Sequence, residues 1–228
     1  MKNGGGIGTL QERSLHAALK ELYDGPNTQS EVEVDGYVID VVQNDLLIEI
    51  QTRNFSAIKN KLAKLMKKHR VRLVHPIAKE KIIIQQDTKG NILGKRRSPK
   101  KGTIANIFEE LVRIPTFLIS DNFELEVILT REEEIRIKDG TGSWRRRGWS
   151  ICDHNLVEVI DRRLFQKPGD MLSLIPETII EPFTTRSLSE RIAISQPLAQ
   201  KMTYCMRKME IVKRVGKEGN AYLYETIK

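Results

Sequence analysis

The chain has 228 residues, a formal charge of +8 and a pI of about 9.4, with 30% charged and 39% hydrophobic residues. Such a length buries a substantial core as one large domain or two small ones, and the balance of residues excludes a disordered chain. The cation surplus favours an anionic partner, nucleic acid first. No apolar run approaches the ~18 residues of a membrane span, so no membrane partner is expected. MKNGGGIGTL lacks a signal-peptide core, and Cys152 and Cys205 lie far apart without metal-ligand spacing, which together predict a reduced, cytoplasmic location.

Residues 3–8 read as a glycine-rich leader to a helix from Thr9 to about Tyr23, with Leu15, Ala18, Leu19 and Leu22 on one face. Glu12 has two readings there: with Thr9 it completes a T-x-x-E capping box, and it also projects at the edge of the apolar stripe, where a lone carboxylate needs a partner. A short strand at 30–34 precedes the hairpin VDGYVIDVVQNDLLIEIQT, residues 34–52. With Asn44-Asp45 as its loop, Gln43 pairs with Leu46, Val41 with Ile48 and Asp40 with Glu49. Directly opposed side chains have Cβ atoms about 4.5–5.5 Å apart, and like charges so placed are destabilising unless a cation sits between them. Gln51 falls on the same face by the strand period of two. The hairpin therefore predicts a divalent-metal site at Asp40 and Glu49. Asn54 is expected to cap a helix to about His69 whose outer face is basic, through Lys59, Lys61, Lys64, Lys67 and Lys68. That face reads as a solvated surface or as one that tracks phosphates. A strand at 71–76, parallel to strand 46–52, and a second at KIIIQQ follow, giving an α/β mixed sheet.

The order helix, three strands, helix, strand, with Asp40 on one central strand and Glu49-Ile50-Gln51 on the next, resembles the PD-(D/E)xK, or restriction-endonuclease-like, superfamily over residues 9–86. The resemblance implies a sheet flanked by helices and Mg²⁺ (or Mn²⁺) held by Asp40 and Glu49. Gln51 would take the place where lysine is usual, and Glu12 would be an assisting helix glutamate. The implied activity is phosphodiester hydrolysis of DNA.

Residues 87–101 predict a mobile basic loop bearing Lys95, Arg96 and Arg97, followed by a helix at about 103–113 and extended segments at 116–119 and 123–137. The loop DGTGSWRRRGWS sets Arg145, Arg146 and Arg147 between Trp144 and Trp149, a combination that either stacks on bases and grips phosphate or simply buries the tryptophans. Residues 151–166 fit a strand or a short helix. Asp170 is a candidate cap for MLSLIP, and Ser187 with Glu190 forms a capping box for a short helix. Pro197 opens a helix to about Met209, and two strands surround the glycine-rich turn of IVKRVGKEGNAYLYE.

Residues 167–228 thus resemble a winged helix-turn-helix. The resemblance implies DNA contact through Gln196, Gln200, Lys201, Tyr204 and Lys208 on the second helix, and through Lys217 and Asn220 at the wing tip. The expected organisation is a nuclease-like domain at 1–150 and a winged-helix domain at 151–228. The expected function is Mg²⁺-dependent cleavage of double-stranded DNA, with a twofold homodimer if both strands are cut. The alternative is a non-catalytic DNA-binding protein on the same fold.

Overall fold

The computed structural model describes residues 13–227. Glu12 and the Thr9 capping box lie outside them. The elements before the first crossover are α1 (Arg13–Glu21), β1 (Thr28–Val34), β2 (Tyr37–Gln43), β3 (Leu46–Ile50) and α2 (Phe55–Leu65). The apolar alternation of the hairpin has the expected register: Gln43 faces Leu46, Val42 faces Leu47 and Val41 faces Ile48. Asn44 takes φ 52° in the loop, a left-handed conformation that Asn tolerates better than most residues. The β1–β2 turn uses Asp35 (φ 50°) and Gly36 (φ 79°), the Asp-Gly combination suited to two positive φ angles.

Beyond α2, β4 (Arg70–Gln86) runs parallel to β3, as the crossover helix requires. The two short strands expected at 71–76 and in KIIIQQ are this one long strand. The region expected as a loop at 87–101 instead returns as β5 (Ile92–Arg97), antiparallel to β4. Asp87 builds that turn by accepting the backbone N–H groups of Lys89 and Asn91, a local arrangement that glycine-rich, basic composition obscured.

A 3₁₀ turn (Ile104–Ile107) and the short α3 (Phe108–Leu111) replace the single helix expected at 103–113, and residues 117–119 are a 3₁₀ turn rather than extended. β6 (Phe123–Lys138) then pairs parallel with β4 along nearly its whole length, and β7 (Trp149–Phe165) pairs antiparallel with β6. The seven-stranded sheet has the order β1-β2-β3-β4-β6-β7, with β5 on the outer half of β4. Since β7 runs to Phe165, residues 151–165 belong to this sheet and not to the C-terminal unit.

One face of the sheet is covered by α1, where Leu15, Leu19 and Tyr23 meet Val41, Ile48, Ile50, Val74 and Ile128. On the other lie α2, α3 and the C-terminal helices, around Phe55, Leu62, Phe108, Phe123 and Met202. Each fully buried Leu, Ile or Phe contributes about 1.5–3 kcal/mol relative to exposure, so the two layers hold the sheet from both sides.

The C-terminal elements are α4 (Thr185–Arg191), α5 (Gln196–Lys208), β8 (Val212–Glu218) and β9 (Ala221–Thr226). α4 starts earlier than its Ser187/Glu190 pattern suggests. Thr184 is the cap, its hydroxyl accepting the Ser187 N–H, while Glu190 pairs with Arg186 one turn back. Asp170 is likewise the third residue of its turn, accepting the N–H groups of Gln166 and Lys167. Leu198, Met202, Cys205, Met206 and Met209 are all buried. Among the described residues no helix is long and apolar enough to cross a membrane.

Candidate active site at the fork of the first hairpin

Pairing of β2 with β3 ends at Val41 and Ile48. The next two residues, Asp40 and Glu49, sit where the strands part, and Asp40 bridges the gap: its Oδ2 accepts the Ile50 N–H at 2.8 Å. Asp40 is therefore tied to the β3 backbone across the fork, one residue from Glu49. The charge of Asp40 is close enough to Glu49 to raise its pKa.

Each acid also meets a basic side chain from a flanking helix. From α1, His16 Nε2 stands 3.3 Å from Asp40 Oδ2 and 3.1 Å from the Ile50 carbonyl oxygen. From α2, Lys61 Nζ lies 2.5 Å from Glu49 Oε1 and donates to the Val38 carbonyl at 2.6 Å. Glu49 is only 5% exposed. Burial raises its pKa above the ordinary carboxylate value, and Lys61 only partly opposes this. For Asp40, burial also works to raise the pKa, but the hydrogen bonds from His16 and Ile50 outweigh it and leave the group below its usual value. His16 moves upward, chiefly through its hydrogen bond to Asp40. The pair is thus split: one acid is stabilised as carboxylate, the other is pushed towards its neutral form.

His16 and Lys61 did not stand out in the sequence reading. Lys61 was one lysine among many on a basic helix, and its position over β2 follows from how α2 crosses the sheet. His16 follows the expected helix residue Glu12 by four positions, the available sequence signal for it.

Gln51, expected to point at the acids, does not join them. Its backbone N–H donates to the Val74 carbonyl at 2.9 Å, its carbonyl contacts His75 Nδ1 at 2.7 Å, and its side-chain amide donates to the Arg53 carbonyl. Asn54, expected as the α2 cap, has φ 59° and makes no side-chain cap bond; the Phe55 N–H is taken by Glu110 Oε2 of α3 at 3.0 Å. A carboxylate at a helix N-terminus is favoured by the unpaired N–H groups there, and only the tertiary fold brings this one in.

For a divalent ion, the oxygens of Asp40, Glu49 and the Ile50 carbonyl are the hard donors that Mg²⁺ accepts. His16 Nε2 stands between two of these oxygens, so an ion in that place would displace it. No group of three or more His, Cys, Asp or Glu side chains with the arrangement of a metal site occurs among the described residues.

The expected nucleic-acid residues fall into three places. Lys95, Arg96 and Arg97 lie exposed on β5. Arg145, Arg146 and Arg147 occupy the β6–β7 connection, where Trp144 is 83% exposed beneath the Arg145 guanidinium, while Arg146 is turned back onto the Trp149 carbonyl. On α5, Gln196, Gln200, Tyr204 and Lys208 are exposed, whereas Lys201 pairs with Glu109 of α3. Lys217 and Asn220 are exposed on the β8–β9 hairpin. Arg214 adds a cation there that was not foreseen, its guanidinium 3.2 Å from the Tyr222 ring centre.

Residues 13–166 match the family described as Domain of unknown function (DUF8091), a span running from the first residue of α1 to one beyond the end of β7. A protein of Treponema pallidum (strain Nichols), described as an uncharacterized protein, is 31% identical over 176 residues, covering 75% of this chain and 70% of its own length. No solved structure matches. The family match spans more than half of the sequence and takes in every strand of the large sheet: the chain belongs to the DUF8091 family.

Proposed function

We propose that this protein is a divalent-metal-dependent phosphodiesterase acting on DNA, with a restriction-endonuclease-like sheet and a C-terminal winged helix that holds the duplex. The observation that carries the reading is the hairpin fork, where Asp40 is tied to the β3 backbone at Ile50 and Lys61 lies against the neighbouring, buried Glu49. Support also comes from the element order, in which α1, three antiparallel strands, a crossover helix and a parallel strand surround that fork.

Asp40, Glu49 and the Ile50 carbonyl would hold Mg²⁺ or Mn²⁺, whose contribution when bound is to activate water and to neutralise charge on the phosphate. Lys61 takes the part that the resemblance gives to the residue at position 51: its ammonium, fixed by Val38 and Glu49, is the cation on hand for the non-bridging phosphate oxygens. His16, released from Asp40, is positioned to exchange protons at the edge of the site. Gln51 serves the backbone of the site and not its chemistry. The winged-helix unit contributes the exposed face of α5 and the β8–β9 tip. Cutting of both strands calls for a twofold dimer.

Purified protein incubated with labelled duplex DNA and Mg²⁺ or Mn²⁺ is expected to cleave it, and Asp40→Asn or Glu49→Gln is expected to abolish cleavage while leaving thermal unfolding cooperative. Cleavage undiminished in both variants overturns the assignment. A second reading, a DNA-binding protein without hydrolysis, is favoured by one observation: each acid already has a basic partner, in His16 and Lys61. It predicts salt-dependent duplex binding that is indifferent to both substitutions.

A further inference from the structure

The basic face of α2 does not simply face solvent. Its lysines, with those of the turn that follows it, meet β2 and the β1–β2 turn. Lys61 reaches the Val38 carbonyl, Lys64 Nζ lies 5.6 Å from the centre of the Tyr37 ring, and Lys68 Nζ is 3.3 Å from Asp35 Oδ2 at the β1–β2 turn. Between the helix and the turn lies an open hollow of about 620 Å³, bordered by Tyr37, Gly36, Lys64, Lys67 and Lys68.

Asp35 engages Lys68 and His69 at one end. Lys64 and Lys67 have no ion-pair partner among the described residues, and both are exposed. The hollow therefore holds two uncompensated cations beside an aromatic ring.

We propose that this groove is a nucleic-acid strand site, in which Lys64 and Lys67 bind backbone phosphates and Tyr37 supplies a wall for sugar or base. The spacing suits that ligand. From Lys61 to Lys64 the helix rises about 1.5 Å per residue, or roughly 4.5 Å, and Lys67 and Lys68 continue the row of cations in the turn that follows it, so several ammonium groups line one path that a phosphate backbone can follow. An aromatic face beside cations gives the sequence-tolerant stacking and phosphate contact that strand tracking uses. Gly36, with φ 79°, keeps the turn free of a side chain beside the ring. The direction of the strand towards Asp40 and Glu49 rests on the phosphodiesterase reading; the binding itself does not.

The test reads binding by fluorescence anisotropy with labelled single-stranded DNA, its duplex and an RNA of the same sequence, from about 50 to 200 mM salt. The variant K64A/K67A is expected to lose roughly tenfold or more in affinity. Its dependence of log affinity on log salt should flatten by about 1.8 for duplex, or about 1.4 for a single strand. K64R/K67R should restore both. The DNA and RNA arms identify which phosphodiester the groove prefers. An unchanged salt slope in K64A/K67A, or no binding of any of the three probes by the native protein, overturns the proposal. If the slope flattens in a protein that cleaves nothing, the groove stands and the phosphodiesterase reading falls. If the native protein cleaves and the slope is unchanged, the reverse holds.

Discussion

Replacing Lys61 with methionine removes the cation that faces a nearly inaccessible carboxylate. Glu49 is 5% exposed, Lys61 Nζ is 2.5 Å from its Oε1, and the lysine side chain is itself only 18% exposed. Breaking one partner out of a buried pair costs about 3–5 kcal/mol, because the remaining charge stays desolvated. For a chain of this size, about 2–4 °C of Tm per kcal/mol gives a fall of about 6–20 °C.

The loss has a signature in pH. The folded-state pKa of Glu49 already lies above its unfolded value, and without Lys61 it rises further. A carboxylate raised on folding binds its proton more tightly in the native state. Stability therefore falls as pH climbs from the unfolded value of about 4.3 through the raised folded value, at about 1.4 kcal/mol per unit. Lys61→Met is thus most destabilising at alkaline pH and recovers as the solution is acidified and Glu49 becomes neutral.

Thermal and urea unfolding of the native protein, Lys61→Met, Glu49→Gln and the double variant, each between about pH 5 and 9, measure both effects and close a double-mutant cycle. Glu49→Gln alone should cost less than Lys61→Met, because the freed lysine keeps its bond to the Val38 carbonyl. The double variant should be more stable than Lys61→Met. A Lys61→Met effect within about 0.5 kcal/mol, the range of an ordinary surface change, refutes the buried-pair argument, as does an effect independent of pH.

Acid stability follows other carboxylates. Glu124, Glu132 and Glu134 are buried on β6; burial works to raise each pKa, and their partners, including Arg72, His154 and Lys81, outweigh it and hold all three below the ordinary value. Their contribution is complete above the unfolded carboxylate pKa of about 4.3 and is lost as pH falls through the lowered folded values, so circular dichroism should show a steep acid transition that Glu132→Gln makes shallower. Trp144→Ala, at a residue 83% exposed, should leave Tm within about 2 °C, given a change of about 0.5 kcal/mol or less. The same substitution should weaken single-strand DNA binding by about 1–3 kcal/mol if the ring stacks on a base, and unchanged anisotropy titrations would remove this loop from the nucleic-acid surface.

Local pattern carried much of the C-terminal unit and the opening hairpin. The apolar spacing of Leu198, Met202, Cys205, Met206 and Met209 marks a buried helix face in any fold, because a stripe at that period must be covered. Elsewhere, composition misled. The run around Lys95, Arg96 and Arg97 looks like a solvated loop, yet it forms an edge strand, where lysine and arginine are tolerated because one side of the strand stays open to water. Trp144 and Trp149 allowed buried and exposed readings, and only the position of the β6–β7 connection separates them.

The sequence by itself determined the hairpin that carries Asp40 and Glu49. A strand period of two and a two-residue loop at Asn44 leave a single register for the hairpin, and a slip by one residue would turn every apolar side chain to the wrong face. What the acids would meet was decided by the tertiary structure alone. His16 and Lys61 come from helices on opposite faces of the sheet, Gln51 is drawn away by Arg53, and Glu110 caps a helix that Asn54 was expected to cap. Strand pairing is a short-range constraint written in alternation, whereas these contacts depend on how whole helices cross the sheet, which no local spacing encodes.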